Sequence, residues 1–311
     1  MRAACVAALL LLAAPAGAQR ADAPFVIGET GEGFATLDAA VSTVLNGRSA
    51  TILIAPGTYR ECTVQASGRI AFKAREPGTA IFEDVACEGK AAFVLRGEGS
   101  SVDGIVFRKL RVPDGNGAGI RIEMGDLTVT NSMFLDSQEG ILGATERPER
   151  VTIDHSTFSG LGQCHETEDC AHAIYLANTG SVSITRSRFE RGRGGHYVKL
   201  RSPRVSITGS SFDDSAGERT NYMIDLSEGG TGLIAGNAFV QGRAKENWTG
   251  FIVVSAEGRT YPAAGLRVEH NVATLAPGVT RSPAFLANGS GDAVRLVNNR
   301  LGPGIRPAET R

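Results

Sequence analysis

From residue 101 onward the chain repeats one alternation: an apolar Ile or Val, two variable residues, Ser or Asn, one variable residue, then Phe. Copies end at Phe134 (TVTNSMF), Phe158 (TIDHSTF), Phe189 (SITRSRF), Phe212 (SITGSSF) and Phe239 (LIAGNAF). Looser copies end at Phe107, Ala273 and Leu301, and the successive steps are 27, 24, 31, 23, 27, 34 and 28 residues. A second short apolar segment precedes each copy: GIRIE, GILGA, AIYLA, YVKLR, MIDLS and IVVSA. The spacing is strand-like and carries no helical period. Two or three short strands per unit of about 25 residues predict an all-β solenoid, a right-handed parallel β-helix of about ten coils.

Stacked coils repeat every ~4.8 Å, so equivalent positions become ladders. Phe107, Phe134, Phe158, Phe189, Phe212 and Phe239 are expected to stack inside. Ser132, Ser156, Ser187, Ser210, Asn237, Asn271 and Asn299 are expected to line one corner. The 39 glycines fit turns better than helices, because Gly costs ~1 kcal/mol in a helix interior. A leucine-rich repeat would need a Leu-x-x-Leu-x-Leu frame, which is absent.

Ahead of the repeats, residues 36–45 read as a short amphipathic helix over the end of the β-stack, after a lead-in at 19–34. The β-helix domain is assigned to 35–303 and a loose tail to 304–311. Arg2, the Ala- and Leu-rich run Ala3–Ala14 and the small residues Ala16-Gly17-Ala18 read as a signal peptide over 1–18. Export to the periplasm or the exterior follows, with no membrane span in the mature form. Four cysteines then remain, and an oxidising compartment favours disulfides. Cys164 and Cys170 share one polar loop. Cys62 and Cys87, one turn apart, would stack on neighbouring coils. Zinc is the weaker option, since no CxxC or HxxxH pair is present.

The segment TLDAAV followed by IAPGTYRE resembles the opening of secreted right-handed parallel β-helix proteins, the pectate lyase-like superfamily. That superfamily includes alginate lyases, mannuronan epimerases and polygalacturonases. Gly195-His196-Tyr197-Val198-Lys199-Leu200-Arg201 and Asp225-Leu226-Ser227-Glu228-Gly229-Gly230 are similar to the GHxxKSR-like and DLPNGG-like segments of a bacterial subgroup. The chain departs from those motifs at Leu200 and at Ser227-Glu228. The resemblance implies the fold strongly. It implies chemistry only broadly, since the fold hosts lyases, hydrolases, epimerases and adhesins.

Strand alternation places side chains on faces. With Ile120, Ile141, Ile174, Val198, Ile224 and Val253 taken as inward, the outward column is Arg121, Leu142, Tyr175, Lys199, Asp225 and Val254. Arg201 lies beside Lys199, and Tyr197 is also expected outward. Charges balance, 32 basic to 33 acidic, which argues against nucleic acid as a partner. Only five of the basic residues are Lys, so Lys199 in this column stands out.

Uronate lyases and C5-epimerases need a base for the proton beside a carboxylate and a cation to neutralise that carboxylate. Lys199 or Tyr175 is the candidate base, Arg201 the neutraliser and Asp225 the group orienting Lys199, with His196 close by. His172, Tyr197, Tyr222, Glu228, Glu257 and Arg121 are candidate contacts to an extended acidic polysaccharide. His172, His196, Tyr222 and Phe251 share one column, which a packed corner would also explain. A plain Lys199–Asp225 ion pair across coils accounts for the patch as well, at ~0–1 kcal/mol.

The leading expectation is therefore an exported, monomeric lyase or C5-epimerase. The alternatives are a non-catalytic polysaccharide-binding or envelope-scaffold β-helix, and a glycoside hydrolase. Hydrolysis needs two facing carboxyl groups, and Asp225 is the one clearly on the patch. No cofactor and no metal is expected; a calcium site would need an acidic cluster on adjacent coils.

Overall fold

The computed structural model describes residues 23–143, 150–177 and 179–311. The expected signal peptide lies outside them. Three long sheets run the length of the molecule, of twelve, ten and ten strands, parallel throughout except for two antiparallel lead-in strands at one end of the first. The chain visits them in rotation, so every third strand is a hydrogen-bonded neighbour. Ser181–Thr185, Arg188–Glu190 and Val198–Leu200, one to each sheet, make up one coil. This is the right-handed β-solenoid that the spacing predicted.

Both ladders are present. Phe107, Phe134, Phe158, Phe189, Phe212 and Phe239 are buried, and neighbouring rings stack at 5.1, 4.8, 4.9, 4.7 and 4.9 Å between centroids. In the polar ladder each backbone N–H donates to the side-chain oxygen one coil on: Ser132 to Ser156 at 3.3 Å, Ser156 to Ser187 at 3.2 Å, Ser187 to Ser210 at 3.1 Å. Asn takes over at Asn237, Asn271 and Asn299. The residue before each ladder position has positive φ: Asn131, His155, Arg186, Gly209, Gly236, His270 and Asn298. Five of these are not Gly, so the ladder bonds hold a left-handed bend that costs those residues energy.

The helix spans Leu37–Val41, shorter than expected. Thr36 caps it by accepting from the Ala39 N–H at 3.3 Å, and Leu37, Ala40 and Val41 enter the core. The lead-in pairs antiparallel, Phe25–Ile27 with Ser49–Ile54. The tail departs from expectation: Arg306–Thr310 is a strand, paired parallel to Ala284–Asn288 as the outermost strand of the third sheet. Its alternation was hidden by Arg306, Pro307 and Glu309, residues suited to an exposed edge. Disulfides join Cys62 to Cys87 and Cys164 to Cys170, as the spacing suggested.

Candidate functional site

The third sheet carries the candidate residues, and its strands do not alternate simply. At their start, two consecutive side chains turn inward on each coil: Ala173 with Ile174, Tyr197 with Val198, Met223 with Ile224, Phe251 with Ile252. Three corrections follow, the first from this irregularity and the other two from the register of the strands. Tyr197, expected outward, is in the core, and its hydroxyl donates to Asp214 Oδ1 at 2.9 Å. Ile252, not Val253, aligns with Ile224, so Val253 rather than Val254 continues the outward column beside Asp225. Phe251 therefore leaves the histidine column and joins Tyr197 and Met223 inside.

The remaining column starts one coil earlier than expected. Glu139, His172, His196 and Tyr222 each lie two residues before the inward aliphatic, and all are buried. The His172 N–H donates to Glu139 Oε1 at 3.1 Å, and the His196 N–H donates to His172 Nδ1 at 3.0 Å. The rings of His196 and Tyr222 lie 5.6 Å apart. Glu139 was missed, although its place two residues before Ile141 was visible in the sequence.

Above this layer the outward column is in register as predicted: Tyr175 beside Lys199, and Lys199 beside Asp225. Lys199 Nζ lies 5.4 Å from the Tyr175 ring centroid, and Arg201 Nε donates to the Tyr175 hydroxyl at 3.0 Å. Glu228 and Glu257, from the turns after the next two strands of the sheet, close on the cations. Arg201 pairs with both, and Lys199 Nζ donates to Glu257 Oε1 at 2.6 Å.

Asp225 does not orient Lys199. It is buried, accepts from the Ser227 hydroxyl at 2.7 Å and faces His196 Nε2 at 3.5 Å. Two other candidates fall away from the patch. Arg121 lies beyond Leu142, next to Glu123 at 3.8 Å in a separate charged group with Lys90 and Arg96. Tyr222 packs against Val253, Ala284 and Ala287, and its hydroxyl accepts from Asn247 and Arg311.

Burial governs the titration of the lower layer. It pushes Glu139 up to about 8, against the opposing His172 N–H. It pushes Asp225 up to about 6, against Ser227 and Lys199. It pushes His172 down to about 3, helped by the positive charge of Lys199 and Arg201. His196 is held well below the ordinary range by burial and then by His172 and Lys199. Both histidines are therefore neutral near pH 7. Glu139 Oε2 and Asp225 Oδ1 accept no hydrogen bond from the described residues.

The Cys164–Cys170 loop packs over this corner, where the Gly195 N–H donates to Cys164 Sγ at 3.1 Å. Cys164 and Cys170 also lie near Glu246, but sulfurs joined in a disulfide offer no thiolates to a metal. The exposed His155 lines an open groove of about 960 Å³ along the opposite corner, with Asn131, Arg186 and Arg188, away from the patch.

The solenoid and its ladders define a class, and the sequence places the chain within it. The chain belongs to the right-handed β-helix family, whose model, described as "Right handed beta helix region", matches residues 91–301. No curated protein matches the chain. Among solved structures, ORF18 of Geobacillus virus E2 is similar at a TM-score of 0.53 and 12% identity, over 88% of this chain and 55% of that one. A PL6 family alginate lyase is similar at 0.43 and 12%, over 88% of this chain and 38% of that one. The A-module of the Azotobacter vinelandii mannuronan C-5 epimerase is similar at 0.33 and 10%, over 88% and 92%. The chain thus spans about half the length of the first and less of the second. At such identities the likeness is one of fold.

Proposed function

We propose that the protein is an exported, monomeric β-helix that acts on a uronate-containing polysaccharide at the Tyr175–Lys199–Arg201 face. The observation that carries this is the convergence of a phenol, an ammonium and a guanidinium on adjacent coils, with Arg201 Nε 3.0 Å from the Tyr175 hydroxyl. Tyr175 or Lys199 takes the C5 proton, and Arg201 offsets the negative charge that grows on the carboxylate. In elimination the electron pair left by that proton forms the C4–C5 double bond, and the O4-linked sugar leaves and gains a proton. In epimerisation a proton returns to the opposite face. The two disulfides and the N-terminal segment 1–18 support export.

Incubation with a panel of pectate, alginate and glucuronan polymers is expected to produce either the ultraviolet absorbance of the unsaturated product or solvent deuterium at C5. A panel with neither signal rejects the catalytic assignment.

One observation favours a second reading, non-catalytic binding. Lys199 and Arg201 are already paired with Glu228 and Glu257, which leaves the face electrically balanced. That reading expects binding without turnover and only a small affinity loss in Lys199→Ala. Hydrolysis is poorly served. Its general acid needs a raised pKa, whereas Thr260 and then Arg201 hold Glu228 below its usual range, and Asp225 is buried.

A further inference from the structure

Lys199 lies in the strand Val198–Leu200 and Arg201 directly follows it, and both cations turn to the face that carries Tyr175. Each of the next two coils sends a carboxylate to them, and the two carboxylates are not equivalent. Glu228 pairs with Arg201 alone and also accepts from Thr260. Glu257 reaches back two coils and bridges both cations. Its Oε1 accepts from Lys199 Nζ at 2.6 Å, and its Oε2 pairs with the Arg201 guanidinium.

The backbone beneath Glu257 is fixed. The N–H groups of Glu257 and Gly258 donate to Ser227 O at 2.9 and 3.1 Å, and that of Tyr261 donates to Glu228 O at 2.9 Å. Only the side chain is left to swing, and its path is open. The Glu257 side chain is 39% exposed, against 11% for Lys199 and 25% for Arg201. At the solvent-facing rim two cations face two carboxylates, so removing Glu257 leaves Lys199 without its surface partner and Arg201 paired with Glu228 alone, beside the Tyr175 ring.

We propose that the Glu257 carboxylate is a resident stand-in for a sugar carboxylate. The gap between Lys199 Nζ and the Arg201 guanidinium is the subsite for one uronate group, and the ligand enters by displacing the Glu257 side chain toward solvent. The sugar ring then lies against Tyr175. The inference rests on the proposed function for its ligand class, uronate, but not for turnover.

Calorimetric titration tests it with galacturonate, mannuronate and guluronate oligomers, and with the methyl ester of the galacturonate oligomer as a neutral control. Glu257→Gln removes the charge and keeps the size. It is expected to bind at least one free-acid oligomer on the order of tenfold more tightly than the native protein, because the competing anion is gone. The ester gains nothing, and Lys199→Met added to Glu257→Gln abolishes the gain. A Glu257→Gln protein that melts normally yet binds no free acid more tightly, or gains equally on the ester, overturns the proposal, as does absence of binding by both proteins. Binding that tightens without any turnover keeps this inference and removes the catalytic one. Turnover without the Glu257→Gln gain does the reverse.

Discussion

The Lys199 ammonium is held by Glu257 and the Tyr175 ring, and both contacts sit at the rim of the protein. An ion pair whose acid is this exposed contributes at most ~1 kcal/mol. Lys199→Ala is therefore expected to move the melting temperature by only a few degrees. Loss of a proton-transfer group costs a reaction about 10²–10⁴-fold. Rate and melting temperature measured on the same preparation separate the two effects, and a rate within a few-fold of native removes Lys199 from the chemistry.

The buried acids below Lys199 give the protein an unusual pH profile. A carboxyl whose folded pKa is raised binds its proton more firmly folded than unfolded, so stability falls as pH rises between the two values. For Asp225 the fall runs from its unfolded value near 4 to about 6, and for Glu139 it continues to about 8. The depressed histidines, His172 and His196, act in the opposite sense, but only below their unfolded value near 6.5. Between pH 7 and 8 Glu139 therefore dominates, at up to about 1.4 kcal/mol per pH unit. Glu139→Gln is expected to flatten denaturant-measured stability over that window. A slope unchanged by the substitution would place the titrating group elsewhere.

At the scale of the element, each coil repeats the same internal contacts. Phe189 stacks on Phe158 and Phe212 at 4.9 and 4.7 Å, so Phe189→Ala opens a cavity between two fixed rings. Such truncations cost ~3–5 kcal/mol. Ser187→Ala removes the acceptor for the Ser156 N–H and strands that buried donor, at ~1–3 kcal/mol. Urea titration of both variants is expected to rank them in that order.

These ladders were legible because the motif that makes them recurs in the sequence with Phe and Ser or Asn at fixed offsets. The start of each third-sheet strand was not. Two successive inward residues there break the alternation rule, and nothing in the pairs Ala173-Ile174 or Phe251-Ile252 distinguishes an irregular strand from a regular one. Tyr197 was misplaced for that reason, and Val253 by a one-residue slip of register.

Across the whole molecule, contacts run mainly between neighbouring coils, so stability is close to a sum of local terms. This also limits what sequence alone could say of the site. The column Tyr175, Lys199 and Asp225 follows from register, but the link from Lys199 to Glu257 spans 58 residues and depends on how far two turns project. The same locality gives the disulfides separable roles. Cys62–Cys87 closes 25 residues and ties the first two strands of the third sheet, whereas Cys164–Cys170 closes only six within one loop. Loop-closure entropy alone makes the longer link worth about 1 kcal/mol more. The Cys62→Ser/Cys87→Ser double variant is thus expected to melt lower than the Cys164→Ser/Cys170→Ser one. Its added hydrogen exchange should concentrate in residues 49–95 and spare 181–241. Equal losses of protection in both regions would mean that the coils unfold as one cooperative unit, and the additive picture of the solenoid would fail.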